Sequence, residues 1–193
     1  MSQAKVLSEQ ELKRVLAVVA QMAHPRRNRL LVLLSFQAGM RAGEISNLKI
    51  DHVLNADGSV RDRIHLQNGQ TKGDKKRTVI LSQSLQKEIL KFVSGLTGFM
   101  VKGDQPLIRS QKGGAFSATT MVMLFRRIYD QAGLADARSH SGRRSFITKL
   151  ANKGVSVRVV QTLAGHASMQ TTQRYIDVND AVLQYVGSSS GHR

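Results

Sequence analysis

Four clusters carry the polar groups able to act on a charged oxygen: Arg41 with Glu44, Lys72 within Thr71-Lys72-Gly73-Asp74-Lys75-Lys76-Arg77, His140 with Arg143, and His166 followed nine residues later by Tyr175. A guanidinium presents a planar fork that matches two oxygens. An imidazole moves protons near neutrality, and a phenol is a nucleophile once deprotonated. Each cluster alone also has an ordinary explanation. Arg41 lies just past an apolar helix and could simply answer the helix dipole. Lys72 could sit on a solvated turn, which Gly73 would allow by taking a positive φ. His140 and Arg143, if both helical, face the same way, so both could donate to an oxygen between them. A turn histidine such as His166 is usually just exposed, and a helical tyrosine is usually a core residue with its hydroxyl at the rim.

The elements that must position these groups are legible from patterning. Ser8 with Glu11 forms a capping-box signature, and Leu12, Val15, Leu16, Val19 and Met22 recur at helical spacing, predicting a helix from about Ser8 to Met22. Leu30 to Leu34 is apolar on all sides and is ended by Gly39, which predicts a buried helix with a glycine stop. A short helix is expected from Glu44 to Leu48. Between Val53 and Leu81 the period becomes that of strands: Val60, Ile64 and Leu66, then Thr78, Val79 and Ile80, are separated by turn residues. Helical spacing resumes over Leu85 to Val93, Ala118 to Gln131, Gly142 to Asn152, Val157 to Ala164 and Ser168 to Val186. Gly165 is a helix stop and Ser168 a cap for the next helix, so His166 falls in a tight turn between two helices. The fold class expected is mainly α with a small antiparallel β-sheet (α+β): one domain carrying a peripheral sheet of about three strands.

Composition points to the partner. In 193 residues, 29 Lys and Arg stand against 13 Asp and Glu, a formal charge of +16, while hydrophobic residues make up 41%. A chain this apolar folds around a core, and so large a charge on a folded body calls for a polyanion, of which nucleic acid is the commonest. The sequence carries no long apolar run and no signal-peptide pattern, so no membrane association is expected and the protein is placed in the cytoplasm, with the nucleoid. Zero Cys excludes disulfides, thiolate metal sites and Cys nucleophiles, and with them zinc fingers and zinc deaminases. No carboxylate cluster has metal-ligand spacing, so neither a metal nor a cofactor is expected.

Taken in order, the segments Ala38-Gly39-Met40-Arg41-Ala42-Gly43-Glu44, Thr71 to Arg77, His140-Ser141-Gly142-Arg143, and Leu163-Ala164-Gly165-His166 through Thr171-Thr172-Gln173-Arg174-Tyr175 resemble the catalytic domain of the tyrosine recombinases, the phage integrase family. The resemblance runs from near the start of the chain to about Val186. It implies a catalytic domain over 1–186, a flexible tail over 187–193, and no N-terminal core-binding domain ahead of Ser8. The chain would then be either an excised fragment or a naturally short member similar to the fimbrial invertase recombinases. The second box of the family usually reads His-x-Leu-Arg-His; here Gly142 replaces the leucine and Arg144 the final histidine.

The resemblance implies a site of Arg41, Lys72, His140, Arg143, His166 and Tyr175, and a site-specific recombinase or integrase that cleaves and rejoins double-stranded DNA through a 3′-phosphotyrosyl bond without metal or ATP. Tyr175 would be the nucleophile, Arg41 and Arg143 the clamp on the phosphoryl oxygens, His140 the proton acceptor, Lys72 the general acid and His166 a further donor to the phosphate. Glu44 would orient a neighbouring cation. Charge stabilisation of this kind is what phosphoryl transfer needs. Alternatives are a catalytically silent DNA-binding protein of the same fold and a type IB topoisomerase. The resemblance further implies a homo-tetramer in the DNA synapse, with a monomer when free, linked in the family by exchange of a C-terminal segment; Ala181, Val182, Leu183, Tyr185 and Val186 could be that segment or could equally pack in cis. Lys75, Lys76, Arg77, Arg126 and Arg127 are candidate contacts to the DNA backbone.

Overall fold

A computed structural model describes residues 4–67, 76–96 and 102–176, and of Arg174 and Ile176 only the backbone. In chain order the elements are α1 (Glu9–Gln21), α2 (Pro25–Ala38), α3 (Ala42–Ser46), α4 (Ile50–Val53), β1 (Arg63–Leu66), β2 (Arg77–Ile80), α5 (Gln83–Val93), α6 (Ala118–Gln131), α7 (Ser141–Asn152), α8 (Val157–Ala164) and α9 (Met169–Ile176). The chain divides into two compact units, Met1–Phe146 and Ile147–Arg193. No helix among the described residues is long and apolar enough to cross a membrane.

The first unit is organised around α2. Leu30, Leu31, Val32, Leu33, Leu34 and Phe36 are all buried, so this helix is covered on every side, as its uninterrupted apolar run demands. Around it the core takes Val15 and Val19 from α1, Ile64, Leu66 and Val79 from the strands, Leu85 and Ile89 from α5, and Met121, Phe125 and Ile128 from α6. Helix starts are set by side chains that satisfy free backbone N–H groups. Ser8 accepts from Glu11 N at 3.1 Å while Glu11 accepts from Ser8 N at 2.9 Å, the expected reciprocal pair. Ser82 and Ser117 cap α5 and α6 one way, their hydroxyls accepting from Leu85 N and Thr120 N.

β1 and β2 pair antiparallel with Ile64 opposite Val79 and Leu66 opposite Arg77. Among the described residues the sheet has two strands instead of about three. Val60 makes an isolated bridge to Leu54 across the tight turn over Asn55 to Ser59, and no ladder grows from it because the residues before Leu54 are already coiled into α4. Ile50 to Val53 closes into the short α4, which the strand-like residues after it had obscured. The helix read from Glu44 begins at Ala42, directly after Arg41. The second unit holds the remainder of α7 and the α8–α9 pair, with Ile147, Val160, Ala164 and Thr172 buried. The expected helix from Ser168 to Val186 is described as far as Ile176; the rest, with the expected C-terminal segment and tail, lies outside the described residues.

Candidate active site

In the first unit the site is built on a glycine. Gly39 caps the C-terminus of α2 at φ +60°, and a Cβ there would lie 2.5 Å from the Phe146 ring, so no larger residue fits without displacement. The turn it makes frees its carbonyl, which accepts from Arg143 Nη1 at 2.7 Å and from Arg77 Nη2 at 3.4 Å. Two residues on, Arg41 precedes α3, and Glu44, in the first turn of that helix, reaches back to it. Glu44 Oε2 accepts from Arg41 N at 2.9 Å and Oε1 from Arg41 Nη1 at 2.6 Å. The carboxylate is 1% exposed, whereas the Arg41 side chain remains 21% exposed. Glu44 thus holds Arg41 by both backbone and side chain.

A third guanidinium completes the arrangement. Arg77 Nη1 lies 2.9 and 2.7 Å from the two oxygens of Glu44. Arg77 therefore corrects its reading as a surface contact to the DNA backbone: it is 6% exposed. The signal was present in the strand period, since Arg77 and Val79 share the face of β2 that packs inward. Burial, the largest influence on Glu44, pushes its carboxyl up. The charges of Arg77 and Arg41 and the Arg41 N–H outweigh it, leaving the group below the usual carboxylate range. Burial lowers the Arg77 guanidinium against the attraction of Glu44. Among the described residues, Glu44 is the carboxylate set beside Arg41 and Arg77, with Arg143 on the neighbouring Gly39 carbonyl, an excess of positive charge in a largely buried setting that favours a bound oxyanion.

His140 is exposed and stands one residue before α7, with its carbonyl accepting from Arg144 N at 2.9 Å, while Arg143 is buried inside the helix. They therefore start from the same helix end but from different depths. Lys72 lies outside the described residues; by sequence it belongs to the connection between β1 and β2, and β2 opens with Arg77.

The second unit holds the other two groups. Gly165, at φ +60°, ends α8. His166 follows in the turn, its N donating to Gln161 O at 3.1 Å and its carbonyl accepting from Gln161 Nε2 at 3.2 Å. Its ring stacks on that of Tyr175, with centroids 5.6 Å apart and planes 18° from parallel. His166 Nδ1 and the hydroxyl of Thr172 are 2.9 Å apart, and Thr172 is fully buried. Thr172 thus holds the His166 ring, a contact that its place in the fourth box does not announce. The other described tyrosine, Tyr129, is buried completely, and burial pushes its phenol up, so it makes no nucleophile.

A sequence profile of the Phage integrase family matches residues 5–181 of this chain. The chain belongs to that family. It is 32% identical over 178 residues to tyrosine recombinase XerA of Pyrococcus horikoshii, covering 90% of this chain and 57% of that protein. Against tyrosine recombinase XerD of Neisseria meningitidis serogroup B it is 30% identical over 184 residues, 94% of this chain and 61% of that protein. It thus spans little more than half the length of the curated relatives it matches. Among solved structures, XerA recombinase superposes with a TM-score of 0.76 at 27% identity, covering 100% of this chain and 67% of the other. XerH site-specific recombinase bound to difH substrate superposes at 0.70 with 28% identity, covering 94% and 53%. The mainly helical architecture with a small antiparallel sheet is that of the tyrosine recombinase catalytic domain.

Both departures from the family's usual box have a physical account in this integrase-family chain. A Cβ at Gly142 would lie 2.6 Å from Ser35 Oγ and 3.0 Å from Phe36 Cδ2, so α2 already fills the space beside it. Arg144, in place of a histidine, donates through Nη1 to Ala4 O at 2.6 Å, and the neighbouring Ser145 Oγ accepts from Leu7 N at 2.8 Å. The start of α7 therefore ties down the chain ahead of α1.

Proposed function

We propose that this chain supplies the catalytic part of a site-specific DNA recombinase, with Arg41, Lys72, His140, Arg143, His166 and Tyr175 acting on one scissile phosphate. The observation that carries this reading is the fixed excess of positive charge of Arg41, Arg77 and Arg143 over Glu44, ready for an oxyanion, in a chain that also sets a partly open tyrosine against a histidine. Tyr175 Oη attacks phosphorus and the bond from phosphorus to the 5′-oxygen breaks. The phenolic proton passes to His140, and Lys72 protonates the departing 5′-oxygen. A phenol ordinarily ionises near pH ~10, so surrounding cations and a proton acceptor are both needed. Arg41 and Arg143 take up the charge that develops on the phosphoryl oxygens, and His166 donates to the same group. When Thr172 donates to Nδ1 of His166, the ring proton resides on Nε2, where it serves that donation. The phosphotyrosyl ester retains the energy of the broken diester, so a 5′-hydroxyl from another strand reverses the step without ATP.

The partner is double-stranded DNA, a reading supported by the likeness to XerH site-specific recombinase bound to its difH substrate, and the exchange runs in a tetramer of protomers on two duplexes, in the cytoplasm at the nucleoid. The deciding experiment uses a duplex nicked beside the scissile phosphate. A covalent adduct that disappears in Tyr175→Phe is expected. Sequence-selective binding without an adduct on any cognate duplex would instead mark a catalytically silent DNA-binding protein, and relaxation of plasmid lacking a specific site a topoisomerase.

A further inference from the structure

We infer that Arg77 is a positioning residue of this site: it supplies the counter-charge to Glu44, so that Arg41 is oriented by that carboxylate without being neutralised by it. The inference rests on the recombinase reading above and adds a residue to it. Glu44 and Arg41 alone would make a closed ion pair with no net charge, and a neutral pair stabilises little charge on a phosphate. Arg77 changes that balance. Its Nη1 approaches both oxygens of Glu44, at 2.9 and 2.7 Å, and Arg41 Nη1 meets Oε1. The pair Arg77–Glu44 is closed to solvent, with side chains 3% and 1% exposed. Arg41, with its side chain 21% exposed, is held by a carboxylate that it shares with a second cation. Arg77 Nη2 also reaches the carbonyls of Ala38 and Gly39, the latter shared with Arg143. Because Arg77 opens β2, the same contact anchors the hairpin whose connection includes Lys72.

A double-mutant cycle on the whole chain tests the inference, reading the rate of adduct formation on the nicked duplex per folded molecule, with folding followed by circular dichroism. Arg77→Met is expected to lower the rate at least 100-fold. In a Glu44→Gln background, where no counter-charge is required, the same substitution should lower it less than tenfold. An equal loss in both backgrounds, or a folded Arg77→Met chain that cleaves at the parent rate, overturns the inference. Should Arg77→Met fail to fold, Arg77→Lys carries the test: charge without the fork is expected to keep the rate within tenfold, and a folded variant slower by 100-fold or more overturns the proposal. A parent chain that forms no adduct defeats the recombinase reading, and the charge balance is then decided by carbon NMR of the Glu44 carboxyl. Its titration should move to higher pH in the Arg77 variant; an unmoved titration overturns the inference.

Discussion

The two units hold their functional groups by different means. In the first, Arg143 and Glu44 are 4% and 1% exposed, set among core side chains by a helix stop, a short helix and an inward-facing strand residue. In the second, His166 and Tyr175 are half-buried and are held by neighbours within ten residues of them: a glycine stop, Gln161, Thr172 and the ring stack itself. Under the proposed function the difference follows from what each set must do. Groups that stabilise developing charge are effective only if oriented beforehand in a shielded setting. A nucleophile must also be reached by the strand it attacks, so it stays partly open and is aligned by local contacts.

The largest expected effect comes from the local unit. Tyr175→Phe removes one hydroxyl, so adduct formation on the nicked duplex should fall below detection while the melting temperature is kept; a persisting adduct would assign the nucleophile elsewhere. In the buried unit, Arg143→Lys replaces a fork with a point charge and loses the aligned donation to Gly39. Its single-turnover cleavage should drop by about 100- to 1000-fold, the usual cost of one oxyanion donor.

Stability distinguishes the units next. Gly142→Leu restores the usual family residue but forces a side chain onto Ser35 and Phe36. Urea unfolding should show a loss of about 1–3 kcal/mol from overpacking, partly recovered by adding Ser35→Gly. At the small end, Thr172→Val deletes the hydroxyl beside His166 Nδ1. About 1 kcal/mol for such a bond corresponds to a cleavage rate roughly fivefold lower. A change as large as that of Arg143→Lys would show that the local unit is as strictly organised as the buried one.

Acid provides a further separation. Glu44 titrates below its ordinary value of 4.5, so in acid the unfolded chain binds this proton more readily than the folded one. The stabilisation Glu44 contributes is complete above pH 4.5 and is lost as pH falls through its lowered folded value. Urea midpoints of the parent chain and Glu44→Gln should therefore differ at pH 7 and converge on acidification. A constant difference would show that ionisation of Glu44 plays no part.

Much of this was legible beforehand, for local reasons. The Ser8–Glu11 cap, the Gly39 and Gly165 stops, and the helices from Ala118 to Gln131 and Val157 to Ala164 follow from backbone needs met within a few residues. Arg77 was misplaced because it ends a run with four basic residues, Lys72 to Arg77 broken by Gly73 and Asp74, which reads as solvated charge. Its partner Glu44 is 33 positions away, and pairing over such a distance leaves no local trace. Val60 looked like a strand residue because β-propensity registers half-buried surface and not the presence of a neighbouring strand.

By itself the sequence determined which groups are available, a phenol, imidazoles and guanidiniums in four ordered boxes, and the helix ends that carry most of them. Only the tertiary structure decided which carboxylate Arg77 pairs with, and why glycine stands where the family usually has leucine. Those choices depend on space and charge contributed by residues far apart in the chain, such as Ser35 against Gly142 and Glu44 against Arg77. Packing and electrostatics act through distance in space, and separation along the chain does not record it.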